Sequence, residues 1–83
     1  MSDEGEKVTY ADLNPGDLVL RRRITSHNEY TSVIKDVKDM PEGWALREYG
    51  VEVPMREVWF DGRATPDVMD ARAFITRLRR GDQ

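Results

Sequence analysis

Apolar and polar residues alternate in short runs along most of the chain, which is the pattern of half-buried β-strands. Val8 and Tyr10 begin this alternation, and LVLRRRIT at 18–25 continues it after the turn sequence LNPGD. In that turn Pro15 takes the second position and Gly16 the third, which is typical of a type II turn with a positive φ at glycine. The run EYTSVIKDV at 29–37 is rich in β-branched residues, so it predicts an antiparallel hairpin with the preceding strand.

The next two segments also predict strands. Pro and Gly in KDMPEG at 38–43 indicate a turn, and WALREY at 44–49 then predicts a third strand. In VEVPMREVWF at 51–60 the apolar residues change parity near Glu57, and Pro54 removes a backbone donor. We therefore predict an edge strand with a bulge or bend at residues 54–56, closed by a tight turn at Asp61 and Gly62.

The pattern changes after Thr65, where apolar residues recur at spacings of three and four. We predict a helix over 66–80, with Thr65 as N-cap, Pro66 at the first helical position and Gly81 beyond its end. The residues on its apolar face are Val68, Ala71, Phe74, Ile75 and Leu78. The stretch AFITRL within it, taken alone, is also compatible with a strand.

The stretch LNPGDLVL at 13–20 resembles the L-x-P-G-D-x-V opening of many SH3-like barrels, among them KOW and Tudor-like modules and small barrel proteins of bacteriophages and actinobacteria. The resemblance implies that Leu13 and Leu18 fill a barrel, and that Gly16 and Asp17 shape the turn into its first long strand. We predict a mainly β (α+β) domain over 7–83, an SH3-like barrel or bent antiparallel sheet of four to five strands with one C-terminal helix. Residues 1–6 are predicted to be a disordered acidic tail.

Composition narrows the function classes. The 83 residues include no Cys and one His, so the chain can form no disulfide and has too few ligands for a structural zinc site. No apolar run approaches the roughly 18 residues of a membrane span, and the acidic start is unlike a signal peptide, so we expect a cytoplasmic protein without membrane association. A net charge of −3 argues against a general nucleic-acid binder. Nucleotide-binding motifs are absent, and we expect no cofactor.

Three consecutive arginines, 21–23, are the most distinctive chemical feature. In a strand Arg21 and Arg23 project from one face about 6.6 Å apart, while Arg22 shares the other face with Leu18 and Leu20. One interpretation is an anion or partner contact at Arg21 and Arg23. The alternative is a solvated strand face whose arginines pair with Glu29, Asp36 or Glu48. Tyr30 or Tyr49 beside a basic face could stack nucleic-acid bases.

The remaining candidates for chemistry are weak. His27 lies in a turn with no oriented nucleophile, so we predict a non-enzymatic protein. Neither the pair Asp36 and Asp39 nor the pair Asp67 and Asp70 supplies the five or more oxygen ligands of a calcium loop. Trp59 and Phe60 are consecutive in a predicted strand and face opposite sides. One of them therefore leaves the interior, to lie under the helix or in an exposed apolar patch.

Together these features predict a non-enzymatic protein-binding module, of a kind that suits a phage-encoded modulator of a host protein. Its partner would be another protein or a second copy of the chain. The alternative is a nucleic-acid-binding SH3-like domain that uses the face of Arg21 and Arg23. No catalytic residue, metal site or small-molecule cofactor is expected. The predicted contact residues are Arg21, Arg23, Lys35, Arg47, Tyr49 and Phe60.

Overall fold

A computed structural model of the protein describes residues 5–23, 25–26 and 28–81. The described residues form six strands, a 3-10 helix at Tyr10–Asp12 and one α-helix. The strands are β1 (Glu6–Thr9), β2 (Leu18–Arg22), β3 (Glu29–Asp39), β4 (Met55–Phe60), β5 (Asp67–Asp70) and β6 (Phe74–Arg79), and the helix α1 is Trp44–Tyr49.

The strands form one antiparallel sheet in the order β1-β6-β2-β3-β4-β5. The long strand β3 joins the two halves of the sheet, since its first part pairs with β2 and its second part pairs with β4. The register shifts between Ile34 and Asp36, and an extra residue of this kind bends a strand. The short strands β1 and β5 are the two edges of this unclosed sheet. The 3-10 helix links them, because the N–H groups of Tyr10 and Ala11 donate to carbonyls in the turn after β5.

One hydrophobic cluster gathers side chains from four strands and from the loop around the 3-10 helix. Because Val58 and Phe60 have the same parity in β4, both point into this cluster. The buried members are Val8, Tyr10, Leu13, Val19, Ile34, Val58 and Phe60. The prediction of a mainly β domain is therefore confirmed, with six strands rather than four to five.

Several local predictions are confirmed. Gly16 has φ +94°, and the Asp17 N–H donates to the Asn14 carbonyl at 3.1 Å, as in the predicted turn. The hairpin of β2 and β3 has the expected antiparallel pairing, which ends at Arg22 and Glu29. Leu13 is fully buried, as the resemblance implied. Leu18 is half-buried, and its neighbour Val19 takes the place in the core.

The predicted helix over 66–80 is wrong, because this segment forms β5 and β6. A tight turn joins the two strands. Its Asp70 carboxylate accepts the Arg72 N–H at 2.9 Å, and its Asp70 carbonyl accepts the Ala73 N–H at 3.0 Å. The strand β6 lies between β1 and β2 and bonds to both. Such tertiary pairing outweighs a helical spacing of apolar residues in one segment.

Two further predictions in the middle of the chain are wrong. WALREY forms α1 instead of a strand, flanked by Gly43 and Gly50 with φ of +82° and +79°. These six residues include good helix formers, and a left-handed glycine is the usual residue after a helix. Moreover, β4 begins only at Met55 and lies between β3 and β5, so it is not an edge strand. The irregularity is in β3 and not at residues 54–56.

The predicted disordered tail is contradicted at its end, where Glu6 is the first residue of β1. The Glu6 carboxylate accepts two hydrogen bonds from the Arg77 guanidinium, at 2.9 and 2.6 Å. Residues 1–4 lie outside the described part of the chain. The acidic residue that composition assigned to a tail therefore holds an edge strand in place.

Asp17 is a buried carboxylate at the start of β2. It accepts the N–H groups of Asn14 and Gly81, each at 2.9 Å, and a bond from Arg77 at 3.2 Å. A side chain at position 81 would collide with the backbone of Gly16, so glycine alone fits there. Burial raises the pKa of Asp17, but the bonds from Gly81, Asn14 and Arg77 together lower the pKa below its ordinary value.

This lowered pKa predicts acid sensitivity. The unfolded chain takes up the Asp17 proton more readily than the native protein does, so the contribution of Asp17 to stability is complete above about pH 4 and is lost as pH falls through the native pKa. We expect Asp17→Asn to reduce the free energy of unfolding at pH 7 by about 1–3 kcal/mol. Urea unfolding between pH 7 and pH 2 should show a smaller loss in the variant than in the wild type. Two parallel pH profiles would contradict this role.

Candidate functional site

Arg21 and Arg22 are the last two residues of β2, with the faces opposite to those predicted, and Arg23 directly follows the strand. Val19 is fully buried, so Arg21, two residues later, points toward the core side, whereas Arg22 points outward. The Arg21 side chain is 19% exposed and lies over the Phe60 ring, with Cζ 3.9 Å from the ring centroid. It donates to Asp67 at 2.9 Å. Arg21 therefore covers the rim of the core, on the face opposite to Leu18, Leu20 and Arg22.

The other two arginines of the triplet are more exposed. Arg22 pairs with Glu29 at 3.1 Å across the hairpin, a cross-strand pair of the kind that the alternative interpretation predicted. Arg23 lies over the Tyr30 ring at 5.0 Å, and Arg21 lies 5.6 Å from the same ring. The three side chains therefore have different surroundings, and two of the three are bound to carboxylates.

The rest of the predicted contact residues lie in separate places. Phe60 is 2% exposed, so its prediction as a partner-contact residue is wrong: it is core. Lys35 is exposed in β3, beyond the residues that pair with β2. Arg47 and Tyr49 are exposed on α1 and not on a neighbouring strand. The structure thus brings Arg21 and Arg23 to one ring, and leaves the α1 residues on a different part of the surface.

A groove of about 650 Å³, which the sequence analysis missed, lies beside α1. Thr9 and Ala11 contribute from the N-terminal side, and Ala71 and Arg72 from the turn after β5. Its apolar lining comes mostly from the two segments that flank α1, and includes Met40, Pro41, Trp44, Val53, Pro54 and Met55.

Backbone hydrogen bonds hold the segments that form this groove. The Met40 N–H donates to the Met55 carbonyl at 3.0 Å and closes the base of the loop that carries α1. The Ala71 N–H donates to the Pro54 carbonyl at 2.9 Å. These bonds join the segments before and after α1 to each other, and they join Pro54 to the turn after β5.

Arg56 forms a second set of hydrogen bonds next to the groove. Its Nη1 donates to the carbonyls of Tyr10, Ala11 and Leu13 at 2.8–3.0 Å, and its Nε donates to Asp39 at 3.1 Å. One guanidinium therefore joins the 3-10 helix to the end of β3. Because a guanidinium is planar and always charged, it suits this multiple role better than a lysine would.

Apolar surface continues from the groove onto α1. Leu46, Tyr49 and Val51, here called the α1 patch, are each at least half exposed. The Tyr49 ring meets the Trp44 ring edge-on, with centroids 5.5 Å apart and planes at 85°. Since Trp44 also lines the groove, the two surfaces are contiguous. Two glycines seven residues apart around a helix-forming sextet were the sequence signal for this feature.

A second cavity of about 340 Å³ is more polar and lies near the turn end of the β2–β3 hairpin, beside Tyr10, Arg21 and Phe74. Burial raises the pKa of Tyr10, so its phenol stays protonated at neutral pH. Among the described side chains, no group of three or more His, Cys, Asp or Glu is placed to hold a metal ion. His27, the candidate general base, lies outside the described residues. Within the described ranges no helix is long and apolar enough to cross a membrane.

Comparisons of the chain with models of known protein families, with curated proteins and with solved structures found no match.

Proposed function

We propose that this protein is a non-enzymatic protein-binding module whose contact surface is the groove together with the α1 patch. The observation that carries the proposal is the continuity of the two surfaces through Trp44 and Tyr49. Exposed apolar surface that is contiguous with a groove is typical of a protein contact. A small-molecule site would instead enclose its ligand.

The composition of the surface supports the same proposal. Aromatic residues and methionine are enriched where proteins meet, and this surface holds Trp44, Tyr49, Met40 and Met55. Methionine side chains adapt to different partners, because they are unbranched and polarisable. The bent sheet behind them, whose edges are linked through the 3-10 helix, supports our proposal that the domain is a small open SH3-like barrel.

Nucleic-acid binding is the less favoured alternative. Arg21, Arg22 and Arg77 each contact a carboxylate, so their charge is already compensated within the protein. Binding to phosphate would break these pairs and release few counterions, which weakens the usual driving force. The proposal of a protein partner therefore has the stronger support.

The test compares proteins retained from a lysate of the encoding organism by the wild type and by Leu46→Ser/Tyr49→Ser. Both side chains are exposed, so we expect the free energy of unfolding of the variant to lie within about 1 kcal/mol of the wild-type value. We expect at least one protein to be retained by the wild type and lost with the variant, and to bind the purified wild type directly. Phe74→Ser is the matched control, because Phe74 and Tyr49 are equally exposed, at 62%, and Phe74 lines the other cavity.

Two results would contradict the proposal. One is equal retention of every protein by the wild type and the α1-patch variant. The other is tight binding of single- or double-stranded oligonucleotides that weakens steeply between 50 and 200 mM salt and is lost with Arg23→Glu. The second result would establish the nucleic-acid alternative.

A further inference from the structure

Carboxylates dominate the charge around the groove. Asp39 is neutralised by Arg56, at 3.1 Å. Arg72, the one cation among the described residues of the lining, donates through two nitrogens to both carboxylate oxygens of Asp70, at 3.1 and 2.9 Å. The charged residues of the lining are Asp39, Glu42, Glu52 and Arg72.

Glu42 and Glu52 are the two charged residues of the lining that are not in the ion pairs just described. Neither has a cation within ion-pair distance among the described residues. Glu42 precedes α1 and Glu52 follows it, so they flank the apolar wall that Trp44 and Val53 help to form. Both are exposed, so a partner seated on the groove can reach them.

We infer that the occupant of the groove is a segment of a partner protein with a large apolar side chain flanked by Lys or Arg. This inference rests on the proposed function and adds the chemistry of the partner. The apolar side chain would enter between Trp44 and the methionines, and the flanking cations would approach Glu42 and Glu52. Charges at the rim of an interface select partners by sign, since they attract cations and repel carboxylates.

A second copy of the chain fits the groove less well. The chain carries a net charge of −3, so two copies repel each other on approach. Lys7 is one exposed cation beside an exposed apolar ring, with Nζ 4.5 Å from the Phe74 centroid, but this cation–π contact already occupies the ring. A basic partner of different sequence has neither disadvantage.

The experiment uses a random dodecapeptide library displayed on phage and selected against the wild-type protein. Peptides that also bind Leu46→Ser/Tyr49→Ser are discarded, so that the remainder depend on the proposed contact surface. We expect this remainder to share a large apolar residue within three positions of Lys or Arg. Synthetic versions should bind Glu42→Lys/Glu52→Lys about five- to tenfold more weakly than the wild type. The control Asp36→Lys/Asp61→Lys has the same change in net charge outside the groove.

The outcomes separate the inference from the proposed function. Groove-dependent peptides without basic residues, or with unchanged affinity for Glu42→Lys/Glu52→Lys, overturn the inference and leave the protein-binding module in place. An equal loss of affinity in the Asp36→Lys/Asp61→Lys control also overturns it, because general repulsion would then explain the effect. Failure to obtain any groove-dependent peptide counts against both the inference and the proposed function. A concentration-dependent dimer in sedimentation, lost with Leu46→Ser/Tyr49→Ser, would replace the basic partner with a second copy.

Discussion

Replacement of Arg77 with methionine is expected to reduce the free energy of unfolding by about 3–5 kcal/mol. The guanidinium is 7% exposed and binds Asp17 and Glu6 together. Methionine keeps much of the side-chain volume but leaves the Asp17 carboxylate buried without its cation. Domains of this size are stable by about 5–15 kcal/mol, so the loss is a large part of the total. Urea unfolding at pH 7 measures it.

Arg79→Met, two residues along the same strand, is the control for Arg77→Met. Arg79 is exposed and makes no ion pair among the described residues. We expect a change within about 0.5 kcal/mol, as for most surface substitutions. The double variant Asp17→Asn/Arg77→Met should be more stable than the sum of the single losses predicts, because both partners of the pair are then uncharged. Additive losses, or a small loss in Arg77→Met, would contradict this account of the buried pair.

Phe60→Ala should also reduce the free energy of unfolding by about 3–5 kcal/mol. Phe60 is almost fully buried, and Arg21 lies on its ring, so truncation opens a cavity and removes the support for that guanidinium. The control Phe74→Ala removes the same atoms from a ring that is 62% exposed, and we expect a loss below about 1 kcal/mol there. Thermal or urea unfolding of the two variants distinguishes them. Equal losses would mean that Phe60 is not part of the core.

The sequence predicted best where local rules act alone. Proline and glycine in LNPGD require one turn geometry, and the β-branched runs on either side of residues 25–28 pair as a hairpin because the connection is short. Such local rules do not predict the strand structure of the segment 66–80. Its apolar spacing suits a helix. Its strand β5 depends on pairing with β4, and its strand β6 depends on β1 and β2, which are about 70 and 60 residues away along the chain.

The candidate site was less predictable than the fold, for two physical reasons. Strand alternation assigns side chains to two faces but does not say which face is buried, and the buried face turned out to hold Val19 and Arg21 instead of Leu18 and Leu20. The groove depends on a helix where the sequence predicted a strand. Tyr49, chosen as a neighbour of the arginines, therefore belongs to a different surface.

The position of β6 has a consequence for synthesis on the ribosome. β6, which lies between β1 and β2, is the last of the described strands to be made, so β1 has no partner in the sheet until residues 74–77 are available. The hairpin of β2 and β3 can form early, but two strands alone are marginally stable in water. Pairing over such sequence separations is slow, because the loop must close before the contacts form. The nascent chain therefore exposes the unpaired edge of β2 until β6 has been made, a period in which chaperones are expected to bind it.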